Sequence, residues 1–257
     1  MASGPLNTAT SGVREPYRRV GLTELRILTL DIETKPITAH VWGLWDQNVG
    51  LNQIVDAGGI LCVGLKWVGQ PVELYSEWTH SKEGMLAIVH AALLESDVVI
   101  GYNSERFDLA KLNGQFLMNG FPPVPPPTSI DLLKTVKKMG LVSGKLAYVG
   151  PALGIGSKMK HEGFDLWAKV MAGDPVAQRK MERYCKQDVV ITEKLYHKLR
   201  PFIRNHPHLG DLSTDCPACE SHHIQKRGVR RTRSFLIQRN QCQSCGHWFE
   251  STRSKVK

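Results

Sequence analysis

The chain has 257 residues, 42% of them apolar and 22% charged, with a formal net charge of +9. This is the composition of a globular protein with room for one good-sized domain and a small appendage. No apolar run approaches the roughly 18 residues of a membrane span, and the N-terminus lacks the apolar core of a secretory signal. The protein is therefore expected in the cytoplasm, and its positive excess points to a polyanionic partner.

Residues 1–23 are small, polar and unpatterned, and read as a flexible leader. The stretch Arg26-Ile-Leu-Thr-Leu-Asp-Ile-Glu-Thr34 follows. As an extended strand it puts Leu28, Leu30 and Ile32 on one side and Asp31 and Glu33 together on the other. Two carboxylates on one face repel unless a proton or a cation lies between them. Hard oxygen ligands of this kind suit Mg2+ or Mn2+. The plainer alternative is a strand that runs out into a solvated acidic turn.

Residues 39–56 form a looser segment whose Trp42 and Trp45 are expected in core or lid packing rather than as base-stacking platforms. Residues 60–67 and 72–75 read as two strands joined by Gly69-Gln70-Pro71. Helical periodicity over residues 82–95 puts Met85, Ile88, Val89 and Ala92 on one face. Residues 97–101 read as a short buried strand running into Tyr102-Asn-Ser-Glu-Arg-Phe-Asp108. A helix with Leu109, Leu112, Phe116 and Leu117 as its apolar stripe comes next. Asp108 then sits at a helix N-terminus, where an ordinary N-cap is the simpler explanation.

The proline run of residues 121–127 requires an extended connector. Ile130-Asp131 is expected to open a helix, with another over residues 145–153. Gly154, Gly156 and Gly163 mark a loop carrying Lys158, Lys160 and His161, either phosphate-facing or merely solvated. Asp174-Pro175 begins a long helix in N-cap and N1 form, expected to end near Leu199. Tyr184 and Asp188 share a face of it at i, i+4. Turn composition over residues 206–211 separates a domain of residues 24–205 from one of residues 212–257.

Three blocks carry a resemblance over roughly residues 24–200: Asp-Ile-Glu-Thr (31–34), Asn-Ser-Glu-Arg-Phe-Asp (103–108) and Tyr-Cys-Lys-Gln-Asp (184–188). In this order the chain resembles the DEDD (DnaQ-like) 3′→5′ exonucleases, in their tyrosine subgroup, and the stand-alone forms from bacteria and bacteriophages. The histidine subgroup would need His five residues before the last Asp, where Arg183 stands. The resemblance implies two Mg2+ or Mn2+ ions about 3.5–4 Å apart, serving an in-line displacement at a phosphodiester. It implies that Asp31 bridges both ions, that Glu33 and Asp188 complete the water-activating site, and that Asp108 holds the second ion. Tyr184 would orient the attacking water, while Asn103 and Phe107 would position the terminal nucleotide, Phe107 being equally suited to the core.

Of the six cysteines, Cys62 and Cys185 stand alone, and Cys216-Pro-Ala-Cys219 and Cys242-Gln-Ser-Cys245 form two pairs. Without an export signal this pattern favours metal over disulfides, and four thiolates fit a closed tetrahedral structural Zn2+. Lys226, Arg227, Arg230, Arg231 and Arg233, with Phe235, lie between the pairs. The module resembles the zinc ribbons of transposases and transcription proteins, and its basic residues suit phosphate contact. A soluble basic tail and a protein-docking ribbon are the alternatives.

The expected fold is α/β, a ribonuclease H-like mixed sheet flanked by helices, plus a small C-terminal zinc ribbon. The expected activity is 3′→5′ removal of nucleoside monophosphates from single-stranded or frayed DNA. Its rivals are an RNA 3′-exonuclease and a non-catalytic protein that binds nucleic acid or recruits a polymerase.

Overall fold

The computed structural model describes residues 25–204, 206–209 and 214–256. The expected leader, and residues 210 and 211 of the expected junction, lie outside them.

The chain opens with β1 (Ile27–Lys35), whose β-branched and leucine residues are buried from Ile27 to Leu30. A projecting arm follows, held at its base by β2 (Thr38–Ala39) and β3 (Ile54–Asp56). β4 (Gly59–Trp67) returns antiparallel along β1, and β5 (Glu73–Ser76) turns back along β4. α1 (Glu77–His80) and α2 (Lys82–Glu95) then cross to β6 (Val98–Gly101), which lies parallel to β1. α3 (Asp108–Met118) and the proline connector lead to β7 (Thr128–Asp131), parallel to β6. The result is one mixed sheet in the order β5-β4-β1-β6-β7.

The remaining helices are α4 (Leu132–Lys137), α5 (Leu146–Ala152), α6 (Phe164–Met171) and α7 (Pro175–Leu199). Leu28, Leu30 and Ile32 point from β1 toward α2 and α3, packing with Met85, Val89, Leu112 and Phe116. On the other face Ile27, Val98 and Ile100 meet Ile191, Leu195 and Tyr196 of α7, while Leu61 and Cys62 meet Met181 and Cys185. The alternation of β1 therefore turns Asp31 and Glu33 toward α7. The close approach of α7 to the sheet needs Gly64, the partner of Asp31 in the β1–β4 register. A Cβ there would lie 2.7 Å from Val189 Cγ2 and 3.2 Å from Cys185 Sγ.

A separate sheet, β10-β9-β8, is built from β8 (Ile224–Arg231), β9 (Phe235–Cys242) and β10 (Trp248–Lys255). With the four paired cysteines gathered at one end, it is compatible with a small zinc ribbon. His247 donates from Nδ1 to the Pro201 carbonyl at 2.8 Å, beside the end of α7, and Leu209 N–H of the connector donates to the Pro217 carbonyl of the first cysteine pair at 3.1 Å.

Four expectations need correction. Ile130 and Asp131 end β7 rather than open a helix, because Asp131 Oδ1 accepts from Leu133 N–H and acts as the N-cap of α4. On α2 the buried stripe runs through Leu86 and Leu93, with Ile88 only half-buried. Leu117 projects from α3 at 80% exposure, since the sheet covers the Leu112–Phe116 side. Trp42 and Trp45 belong to no core: they stand 99% and 82% exposed on the arm.

Candidate active site

Two elements build the site. β1 delivers Asp31 and Glu33, two residues apart on one face, and α7 delivers Tyr184 and Asp188 one turn apart. Between these side chains the thiol of Cys185 donates to the Asp31 carbonyl at 3.6 Å, fastening α7 to the strand. Carboxylate oxygens of Asp31, Glu33 and Asp188 all lie within 4.8 Å of one another. Asp188 is 2% exposed, and its Oδ1 has no hydrogen-bond partner. A buried, unpartnered carboxylate oxygen is costly in an apolar setting and is a ligand atom available to a cation. Three oxygens of this type fit Mg2+ or Mn2+.

The second oxygen of Asp188 is occupied. Lys158, on the loop before α6, places Nζ 2.6 Å from Asp188 Oδ2 and donates to Tyr184 Oη at 3.0 Å. The ammonium also lies 5.2 Å from the centre of the Tyr184 ring. His161 and Trp167 pack edge-on against that ring at 5.0 and 6.2 Å between centroids. The basic loop thus turns inward, at least through Lys158. Its role was hidden in the sequence because only the folded loop brings residue 158 to residue 188.

Asp108 is placed differently. It lies outside the three-oxygen group, and its Oδ1 accepts the backbone N–H of Ile32 at 3.0 Å. Ile32 stands between Asp31 and Glu33, so Asp108 braces the strand that presents both. The sequence suggests Asp108 as a ligand or a helix cap; Phe107 is the N-cap residue, and the Asp108 side chain reaches across to β1 with Oδ1 while its charge acts on Asp31.

Electrostatics follow from this crowding. Burial, then the charges of Asp108, Glu33 and Asp188, pushes the Asp31 carboxyl well above its ordinary range. Burial and Asp188 push Glu33 up to about 8. Burial raises Asp108 to about 6 against the opposing effect of the Ile32 hydrogen bond. Burial raises Asp188 as well, held back by the Lys158 ammonium. Tyr184 is raised to about 12, by burial first and the Asp188 charge second. Without a metal the cluster therefore retains protons near neutral pH that a divalent cation would have to displace.

The nucleotide-positioning candidates are near but not central. Asn103 adopts a left-handed φ of 65° and donates its backbone N–H to Asp131 Oδ1 at 2.8 Å. Asp131, buried and doubly hydrogen-bonded, thereby shapes the loop before Asp108; its sequence signal was only an Asp ahead of an apolar pair. Phe107 is 39% exposed, with the Lys111 ammonium 6.0 Å above its ring, so it is not core.

At the far end of the chain, sulfur atoms of Cys216, Cys219, Cys242 and Cys245 lie within 4.8 Å of one another. The Cys216–Cys245 and Cys219–Cys242 separations are 3.7 and 3.6 Å. A tetrahedron with zinc–sulfur bonds of about 2.3 Å has edges of about 3.8 Å, so the set fits Zn2+. Despite its burial, Cys242 is lowered to about 6 by backbone N–H groups of Cys245 and Ser244, whereas burial raises Cys216 and pushes Cys245 up to about 11, so these thiols divide their protons unequally without a metal. All five basic candidates are exposed, and Lys226, Arg231 and Arg233 present their charge to solvent. Arg230 is instead taken up by Glu250, with Nε–Oε1 at 2.6 Å and Nη2–Oε2 at 3.1 Å, and Arg227 Nε donates to Gln241 at 2.9 Å. Phe235 is 37% exposed at the start of β9.

Residues 50–200 match the family model of the RNase_H superfamily, a span that contains Asp108, Tyr184 and Asp188 and begins beyond Asp31 and Glu33. The chain belongs to the RNase_H superfamily. The mixed sheet flanked by helices on both faces is accordingly ribonuclease H-like. Among solved structures, the chain is similar to the family B DNA polymerase from the hyperthermophilic archaeon Pyrobaculum calidifontis. The TM-score is 0.54 at 20% identity, over 72% of this chain and 26% of the polymerase chain. At that identity the likeness is one of fold, and this chain corresponds to about a quarter of the polymerase. No curated protein matches the chain. Among the described residues, no helix is long and apolar enough to cross a membrane.

Proposed function

We propose that the chain is a metal-dependent 3′→5′ exonuclease of the DEDD type, in its tyrosine subgroup and stand-alone bacterial or bacteriophage form, acting on single-stranded or frayed DNA in the cytoplasm. The observation that carries this reading is the meeting of Asp31, Glu33 and Asp188 within 4.8 Å, with an unpartnered Asp188 oxygen and the Tyr184 hydroxyl alongside. Membership of the RNase_H superfamily supports it.

In this reading Asp31, Glu33 and Asp188 hold Mg2+ or Mn2+, and Asp108 takes part as a fourth acid while bracing β1. The bound ions would neutralise phosphoryl oxygens and lower the pKa of a water for in-line attack. Tyr184, with its pKa near 12, stays a hydroxyl at neutral pH; it orients the water by hydrogen bonding and does not remove its proton. Lys158 fixes that hydroxyl and offsets the negative charge of Asp188. Asn103 and Phe107 line the approach for the terminal nucleotide. Residues 24–205 form the catalytic unit. Residues 212–257 form a Zn2+ ribbon whose exposed Lys226, Arg231 and Arg233 grip phosphates without reading sequence.

Digestion of 5′-labelled single-stranded DNA and RNA in Mg2+ or Mn2+ tests this proposal. The expected result is a ladder shortening from the 3′ end, faster on DNA, and absent with Asp31→Ala plus Asp108→Ala. Full-length label from the wild-type protein under both metals would contradict it, and a ladder on RNA alone would reassign the substrate.

A further inference from the structure

The arm between β1 and β4 is the most exposed apolar feature among the described residues. Trp42, Leu44, Trp45 and Leu51 are 99%, 89%, 82% and 88% exposed, against the usual tendency of large apolar side chains to find cover. Yet the segment is built. The β2–β3 ladder closes its base, His40 N–H donates to the Gln53 carbonyl at 2.9 Å, and the Gln53 amide returns to the His40 carbonyl at 2.9 Å. At its root Gly58 has φ +79° and sits where a Cβ would come within 2.6 Å of the Lys35 carbonyl. A fixed arm that holds two indoles in water is a contact surface awaiting an occupant.

We infer that this arm stacks the unpaired bases of the strand whose 3′ end enters the acid cluster; the inference rests on the exonuclease reading above. Position is the first argument. The legs of the arm leave the sheet at the pairs Thr34–Ile60 and Lys35–Gly59, directly beyond Glu33. At about 3.3 Å per residue, Lys35 lies about 7 Å from Glu33, close to the spacing of one nucleotide. The arm therefore continues the strand that carries Asp31 and Glu33, and its root lies about one nucleotide's spacing from them.

Chemistry is the second argument. From Pro36 to Leu65 the chain contains no Lys or Arg, and the ionisable side chains of the arm are His40, Asp46 and Asp56. Such a surface offers phosphates and anionic lipid headgroups no fixed cation, and presents flat aromatic faces to bases. The exposed amides of Asn48 and Asn52 add groups that pair with base edges. Phosphate contacts fall to the basic residues elsewhere in the molecule. Stacking on aromatic side chains is tolerant of sequence, as an exonuclease that removes every nucleotide in turn requires.

The two contributions separate by salt. Stacking on the arm adds affinity without releasing counterions, whereas each phosphate contact steepens the salt dependence. The test measures binding of a fluorescein-labelled 20-mer of thymidylate across a salt series, in an Asp31→Asn background that keeps the oligonucleotide intact. Trp42→Ala plus Trp45→Ala is expected to weaken binding about tenfold or more, with the slope against log salt unchanged and the melting temperature preserved. Trp42→Phe plus Trp45→Phe should restore most of the loss. Unchanged affinity in the alanine variant overturns the inference. So does a wild-type dimer that becomes monomeric in that variant, since a second copy would then be the occupant. Digestion by the protein with Asp31 restored keeps the two readings apart. If the alanine variant binds and digests DNA as well as wild type, only the arm inference fails. If wild type neither binds nor digests, the exonuclease reading fails and takes the arm inference with it.

Discussion

The Lys158 ammonium lies 2.6 Å from Asp188 Oδ2, in a cluster that also contains Asp31 and Glu33. A lysine from the loop before α6 thus acts as the counter-ion of the most buried acid. Burial works against its charge, but the Asp188 carboxylate outweighs that and raises its pKa. Lys158→Gln should strand Asp188 among like charges and lower the metal-free melting temperature by a few degrees, the pair being partly open to water on the lysine side. Mn2+ should then raise that temperature more in the variant than in wild type, because the cation takes over the neutralising role. Thermal melts with and without Mn2+ check both; equal shifts would contradict the counter-ion role.

Asp108 separates chemistry from support. Its Oδ1 accepts the Ile32 N–H, and an asparagine amide oxygen can do the same while an alanine cannot. Losing that acceptor leaves a buried N–H unpaired, worth about 1–3 kcal/mol. Asp108→Asn should therefore be more stable than Asp108→Ala by about that amount in denaturant titrations. Both variants should lose nuclease rate by about a hundredfold or more, because the acids act as a unit. Equal stability of the two would show that the Ile32 contact carries no weight.

Stability of the metal-free protein should fall as pH rises. Glu33 titrates at about 8 and Asp108 at about 6 in the fold, both above their ordinary values. Below about pH 4 these groups hold protons folded or unfolded, and their contribution is fully present. Between there and pH 8 the unfolded chain has released protons that the fold retains, so that contribution is lost step by step. Scanning calorimetry from about pH 5.5 to 8.5 should show a drop of a few degrees from this source. Added Mn2+ should stabilise more at the high end, where fewer protons compete. A metal-free melting temperature that climbs across this window would contradict the assignment.

Much of this arrangement was legible in the sequence because its signals are local. Alternation along residues 26–34 placed Asp31 and Glu33 on one face, and the four-residue interval from Tyr184 to Asp188 placed both on one side of α7. The CxxC spacing of Cys216, Cys219, Cys242 and Cys245 grouped the thiols in the same way. What escaped was set by tertiary contact. Lys158 finds Asp188 across thirty residues, Asp108 at the start of α3 reaches a backbone N–H of β1, and Arg230 is claimed by Glu250 two strands away. Trp42 and Trp45 differ for another reason: of the core or lid packing that indoles suggest, the fold excludes the core and leaves both on a projecting arm.

The ribbon should respond to its metal and to its free cations separately. Cys216→Ser should melt β8–β10 at a temperature where the mixed sheet persists, since so small a unit draws much of its stability from the metal. Arg231→Ala should reduce the salt slope of DNA binding by about one. Arg230→Ala should reduce it less, because Glu250 already holds that guanidinium. Equal slopes for the two variants would contradict this division.

The most direct test of the account is the fate of linear and circular single-stranded DNA of the same sequence, with products identified by mass spectrometry. The acid cluster of Asp31, Glu33 and Asp188, read as an exonuclease centre, predicts that the linear strand is reduced to nucleoside 5′-monophosphates in Mn2+ while the circle stays intact. Nicking of the circle would make the protein an endonuclease, and survival of both substrates would remove the catalytic role of the cluster.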